Sequence, residues 1–249
     1  MPARGATTFA EMGRSGERSI DAVLLDAGGV LLLPDPEAVR QAFAPLGATP
    51  DDETCRRAHY ASMREVDRLG RADWAAVDRV FARIAGVPEE RIDDAVAVTE
   101  DIYLRRPWVP LPRVAESLRE LQDAGFAMAV VSNAEGTIER QLAEHRICAV
   151  GGGEAADVAV VVDSHVVGVE KPDPRIFQIA LDALGVSGDR CVHVGDTVHF
   201  DVEGARAAGL DCVHVDPYGY CPDHDHGHVG SLPDLVQVLA AGAASIERA

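Results

Sequence analysis

Short apolar runs without alternation recur along the chain, at 22–25, 126–131 ("FAMAVV"), 158–162 ("VAVVV"), 191–194 ("CVHV") and 212–215 ("CVHV" again). A strand with one wet face alternates apolar and polar residues, so an unbroken run predicts a strand covered on both faces, as in a parallel sheet. Between the runs, apolar residues return at helical spacing over 113–124, 135–143, 174–184 and 202–208, the last closed by Gly209, a natural helix stop. Strand and helix in repeated alternation predict an α/β fold built on a doubly wound, Rossmann-like parallel sheet.

One block breaks the alternation. Over 36–107 no strand is apparent, only helical patterning rich in Ala, Arg, Glu and Asp, as at 53–69, 74–84 and 89–104. That is too long for a simple crossover. It predicts a small α-helical cap domain over the sheet's carboxyl edge, with 20–35 and 108–249 forming the core. The Pro-bounded strips 34–36 and 107–110 are the hinge candidates, since lids move at such connectors. Residues 1–19 are small and polar, without the apolar stretch of a secretory signal, and read as a flexible tail.

Composition narrows the function. A chain of 249 residues, 47% hydrophobic and 26% charged, can bury a sizeable core, and no apolar run approaches membrane-spanning length. The formal charge of −18 argues against nucleic acid and acidic membranes as partners. An anionic ligand would need a local cation to overcome that field. The five cysteines are scattered, odd in number and without a CxxC pair, which fits reduced thiols in the cytoplasm, Cys191 and Cys212 being core residues.

In open parallel sheets ligands bind beyond the carboxyl ends of the strands. Asp26 follows the first run, Ser132 and Asn133 the second, Lys171 precedes a helix, and Gly195-Asp196-Thr197 follows the fourth run with Asp201 nearby. Singly these are ordinary turn or capping residues. Together they bring carboxylates, a hydroxyl and an ammonium to one edge.

The segments "LLDAGGVL", "VVSNAEG", "GVEKPDP" and "HVGDTVHFDVEGARAAG", in this order, closely resemble the haloacid dehalogenase-like hydrolase superfamily, most of whose members are phosphatases. The resemblance runs from about residue 19 to 238. It implies that Asp26 is the nucleophile that forms an aspartyl-phosphate, that Ser132 binds the phosphoryl group, and that Lys171 neutralises charge. It further implies Mg²⁺ held by Asp26, the main-chain carbonyl of Gly28 and Asp196, with Asp201 supporting the ion directly or through water. Gly28 and Gly29 would let the backbone bend and turn its amides towards phosphoryl oxygens, with Asn133 beside the substrate. The block 36–107 corresponds to the cap of the subgroup with an insertion after the first motif.

One position departs from the pattern. Family phosphatases usually carry a second Asp two residues after the nucleophile to protonate the leaving group, and here Gly28 stands there. General acid–base help is worth about 10²–10⁴ in rate. Three readings stay open. The first is a phosphatase that acts on good leaving groups or takes a proton from Glu53, His59 or Tyr60. The second is a metal-free 2-haloacid dehalogenase, against which the intact Gly195-Asp196 counts. The third is a weakly catalytic binding or regulatory protein. The substrate, a small phosphorylated molecule in the first reading, has no marking motif, and monomer and homodimer are equally open.

Other features read more plainly. The segment 223–228, with alternating histidines, could chelate a transition metal, but in a Gly/Pro-rich stretch without a Cys partner it reads as a solvated loop. His193 and His214, inside apolar runs, read as core histidines. Trp74 and Trp108 read as cap or hinge packing residues. Arg64, Arg68 and Arg71 share one helix face and read as a solvated surface pairing with Glu65 and Asp67.

Overall fold

The computed structural model describes residues 20–223 and 225–246. They divide into two compact units: one reaches Leu31 and resumes over Pro112–Pro217 and from Pro222 onward, and the other comprises Leu32–Leu111 with Tyr218–Cys221.

In chain order the strands are β1 Ala22–Leu25, β2 Leu32–Pro34, β3 Trp108–Pro110, β4 Ala127–Ser132, β5 Cys148–Val150, β6 Ala156–Val158, β7 Val161–Asp163, β8 Cys191–Gly195, β9 Asp211–Val215 and β10 Gly227–Val229. The main sheet of the first unit has the order β10-β9-β8-β1-β4-β7, and every pairing in it is parallel. Winding proceeds from β1 towards β7 on one side and from β8 towards β10 on the other, so the order reverses at β1 and β8. Their carboxyl ends are the crevice where such sheets bind ligands. All four residues of β1 are completely buried, and Leu24, Ala129, Val131 and Cys191 pack with Phe177 and Val202 in one core cluster.

The helices are α1 Pro36–Phe43, α2 Asp52–Leu69, α3 Trp74–Ile84, α4 Ile92–Arg105, α5 Val114–Asp123, α6 Ile138–Glu144, α7 Ser164–Val167, α8 Pro174–Leu184, α9 Glu203–Ala207 and α10 Leu232–Ile246. Local chemistry sets their ends. Asp173 caps α8 by accepting from the Arg175 N–H, Pro174 occupies its first turn, and Gly185 closes it at φ 67°. Asp51 caps α2 in the same way, and Gly70 ends it. Helices α1–α4 belong to the second unit, whose own core gathers Phe43, Ala58, Phe81 and Ile102.

Several expectations need correction. The run 158–162 is two strands: Val158 ends β6, paired with β5 in a small separate sheet, whereas β7 joins the main sheet. An apolar run serving two sheets looks continuous in sequence. The helix expected at 135 starts at Ile138, after Gly136 has taken φ 79°. The helix at 202–208 shortens to α9, preceded by a π turn over Val198–Val202. Helix α1 and an antiparallel ladder of β2 with β3, Leu33 opposite Val109, went unpredicted, the ladder at the expected hinge strips. Gly227 and His228, expected in a solvated loop, belong to edge strand β10, and His226 is buried. Trp74 is 53% exposed, whereas Trp108 packs edge-on against the Tyr103 and His59 rings. The tail expected at 1–19 lies outside the described residues.

Candidate active site

The chain leaves β1 with the Asp26 N–H donating to the carbonyl of Val194 on β8 at 2.8 Å. The Asp26 carboxylate accepts from the Ala27 N–H through Oδ1 at 2.7 Å and faces the Lys171 ammonium through Oδ2 at 3.0 Å. Gly29 follows at φ 67°, and a Cβ there would fall inside the Asp196 carboxylate. Only glycine meets both conditions, the left-handed backbone and the close approach. The second glycine of "LLDAGGVL" is thus what lets the end of β8 come against the turn after β1.

Lys171 is 2% exposed, with Nζ 3.0 Å from Asp26 and 2.6 Å from Asp201 Oδ1. Asp201 is enclosed. Its Oδ1 also takes His193 Nε2 at 2.9 Å, and its Oδ2 takes the Thr197 hydroxyl at 2.6 Å and the Thr197 N–H at 3.1 Å. Gly195 makes room for it, since a Cβ on Gly195 would overlap the Asp201 side chain. Asn133 fixes Lys171 from the other side: its Oδ1 accepts from the Lys171 N–H at 2.7 Å and its Nδ2 donates to the Lys171 carbonyl at 3.0 Å. Ser132, 4% exposed, ends β4, the strand beside β1. One oxygen from each of Asp26, Asp196 and Asp201 lies within 4.8 Å of the others.

These four charged groups, three carboxylates and one ammonium, leave a surplus of two negative charges when all are ionised. Burial pushes the Asp26 carboxyl up to about 7, opposed by Lys171 and reinforced by Asp201 and Asp196. Burial alone would raise Asp201 too, but the Lys171 ammonium and the His193 hydrogen bond hold it well below the usual carboxylate range. Lys171 responds in the opposite sense: burial works against its charge, and Asp201 and Asp26 keep it charged. Burial lowers His193, which as a neutral ring donates Nε2–H to Asp201. Hard oxygen donors carrying two uncompensated charges fit a divalent cation such as Mg²⁺.

Asp26, Lys171, Asp196 and Asp201 therefore meet, with Ser132 on the adjoining strand. Sequence reasoning missed the contribution of His193 and Thr197 to Asp201, and of Asn133 to Lys171. A signal existed for His193, which lies two residues before Gly195 on β8 and so on the face that Gly195 leaves open for Asp201. The suggested proton donors are engaged within the second unit: His59 Nδ1 lies 3.0 Å from the Tyr103 hydroxyl, its ring packs on Tyr60, and Glu53 accepts from Tyr218. The surface reading holds for Arg68, which pairs with Glu65, but Arg64 lies near an Asp67 carboxylate that is buried, and Arg71, beyond the end of α2, pairs with Asp73.

The family model of the haloacid dehalogenase-like hydrolases matches residues 20–209. The chain is 36% identical over 152 residues to a phosphoserine phosphatase of Thermus thermophilus, covering 58% of this chain and 57% of that relative's length. It is 29% identical over 240 residues to a glyceraldehyde 3-phosphate phosphatase of Methanopyrus kandleri, covering 89% of this chain and 99% of the other. In fold it is similar to the crystal structure of a dehalogenase with an intermediate complex, at TM-score 0.59 and 22% identity over 90% of this chain and 98% of that one.

Proposed function

Because the chain belongs to the haloacid dehalogenase-like hydrolases, we propose that it is a Mg²⁺-dependent phosphatase that hydrolyses small phosphorylated metabolites through an aspartyl-phosphate on Asp26. The observation that carries this reading is the Lys171 ammonium fixed between Asp26 and Asp201, with Asp196 completing a doubly negative set of oxygen donors. Asp26, Asp196 and the carbonyl of Gly28 would hold the ion. Asp201, its oxygens already accepting from Lys171, His193 and Thr197, supports the site by holding Lys171. When bound, Mg²⁺ draws charge from a phosphoryl oxygen and cancels its repulsion by the nucleophile.

The chain's residues do the rest. The Asp26 carboxylate attacks phosphorus, the P–O bond to the leaving group breaks, and the leaving group departs as its anion with the bonding electrons, taking any proton from solvent. Water then attacks the same phosphorus and gives a proton to solvent, the bond to Asp26 breaks, and inorganic phosphate departs with the carboxylate restored. Lys171 matches the charge that develops on the phosphoryl oxygens, and Ser132 and the Gly29 amide orient the group. Gly28 has no side chain to protonate the departing oxygen, so good leaving groups, such as anomeric or acyl phosphates, suit the site. We further propose a cytoplasmic location, where its five cysteines, buried and outside any disulfide, would stay reduced.

Purified protein should release phosphate from p-nitrophenyl phosphate or a sugar 1-phosphate with Mg²⁺, and Asp26→Asn should abolish the activity. Chloride release from a 2-chloroacid in the presence of a chelator, without phosphatase activity, would install the dehalogenase reading instead. Gly28→Asp should raise turnover of alkyl phosphates more than that of p-nitrophenyl phosphate, and equal changes would place proton donation elsewhere.

A further inference from the structure

Beside the carboxylate cluster, three histidines converge on β9 and the edge strand β10 of the main sheet. His214 on β9 and His228 on β10 are partners in the parallel register, so their side chains leave the same face. His226 immediately precedes β10. One ring nitrogen from each lies within 4.8 Å of the others, and the ring centroids are 4.4–5.4 Å apart.

The hydrogen bonds fix two of the tautomers. His214 Nε2 lies 3.0 Å from the Asp196 carbonyl, which can only accept, so Nε2 carries the proton and Nδ1 a lone pair. His226 Nδ1 lies 2.8 Å from the Asp225 carboxylate, which Arg206 holds ionised from α9, so Nδ1 carries the proton and Nε2 a lone pair. Those two lone-pair nitrogens face each other at 3.3 Å. A metal ion between them would take both lone pairs. A tetrahedral centre that binds nitrogen at about 2.0–2.1 Å has an edge of about 3.3–3.4 Å. A histidine whose second nitrogen donates to a carboxylate or carbonyl is also the usual form of a metal ligand.

We propose that His214, His226 and His228 form a structural site for a borderline transition-metal ion of the Zn²⁺ class, which pins the segment after β9 and edge strand β10 to the sheet. Imidazole donors suit Zn²⁺ and exclude Mg²⁺ and Ca²⁺, so this site is chemically separate from the carboxylate cluster. The solvated-loop reading of 223–228 misses this site because His214 lies outside that segment and only the β9–β10 register brings it alongside.

The test uses the full chain with Asp26→Asn and Asp196→Asn, which blank the carboxylate site. Zn²⁺ added after chelation should bind once per chain by calorimetry and raise the melting temperature. Co²⁺ in its place should give the visible absorption of a four-coordinate site. Adding His226→Gln and His228→Gln should weaken Zn²⁺ by about 100-fold or more, and Asp225→Asn by about 10–100-fold. Binding unchanged in the double histidine variant, or no Zn²⁺ binding in the parent, overturns the proposal. Since a misfolded variant would also lose binding, the same question is put to the unsubstituted protein. There Zn²⁺ should shift the imidazole nitrogen resonances of His214, His226 and His228, and resonances unmoved by Zn²⁺ overturn the proposal. A bridging proton in place of a metal predicts that second result.

Discussion

Burial holds the Asp26 carboxyl at about 7 against an ordinary value of 3.8, so between those limits the folded chain keeps a proton that the unfolded chain has released. Without a divalent ion, stability therefore falls as pH rises through this window, and the full penalty is present above about 7. Asp26→Asn removes it. With chelator present, the variant should be more stable than the parent by roughly 2–4 kcal/mol at pH 8 and equal to it below the ordinary carboxylate value. Urea unfolding at several pH values measures the difference, and a gain independent of pH would contradict the electrostatic account. Asp201→Ala should act the other way. It strands Thr197, His193 and one side of Lys171, and should cost about 3–5 kcal/mol by the same measurement. At this scale Asp26, Lys171, Asp196 and Asp201 were legible, because each stands at the predicted end of a strand or start of a helix. The part played by His193 was not, because a histidine in an apolar strand looks the same whether it fills space or holds a carboxylate.

Between elements, glycines decide how closely backbone and side chain approach. Gly29 gives the turn after β1 its left-handed residue and clears the Asp196 carboxylate, while Gly195 at the end of β8 clears Asp201. Gly29→Ala should cost about 1–3 kcal/mol in backbone strain alone and weaken Mg²⁺ binding further by displacing Asp196. A melting curve and a Mg²⁺ titration separate the two effects, and intact Mg²⁺ affinity would show that Asp196 tolerates the shift. The strands of the main sheet were readable because burial on both faces leaves unbroken apolar runs. The division of 158–162 between two sheets was not, since hydrophobicity records that a residue is covered and not by which neighbour. Edge strand β10 was equally hidden: it is three residues long, Gly-His-Val, and carries no apolar run.

Over the whole molecule the charge of −18 dominates. Self-repulsion among so many carboxylates opposes the compact state, and salt screens it. Raising NaCl from about 20 mM to about 500 mM should increase the melting temperature at neutral pH. The exposed arginine pairs, such as Arg79 with Asp93 and Arg83 with Glu89, weaken under the same screening but contribute little each. A melting temperature that falls with salt would mean that local pairs outweigh the overall repulsion. The loss of strand patterning over 36–107 points to a helical block, whereas the second unit runs over Leu32–Leu111 and also takes in Tyr218–Cys221, which no pattern marks. The ladder that closes the block escaped notice because β2 and β3 are three residues each and both contain proline.

In that ladder Leu33 lies opposite Val109, so the chain begins and finishes its helical excursion on neighbouring strands. A cassette whose two ends sit side by side can be cut out at Leu31 and Pro112 and another spliced in without rethreading the sheet. A chimera joined at those two points exchanges the helices without touching the segments that carry Asp26, Lys171 and Asp196, leaving only Tyr218–Cys221 of the second unit to be matched.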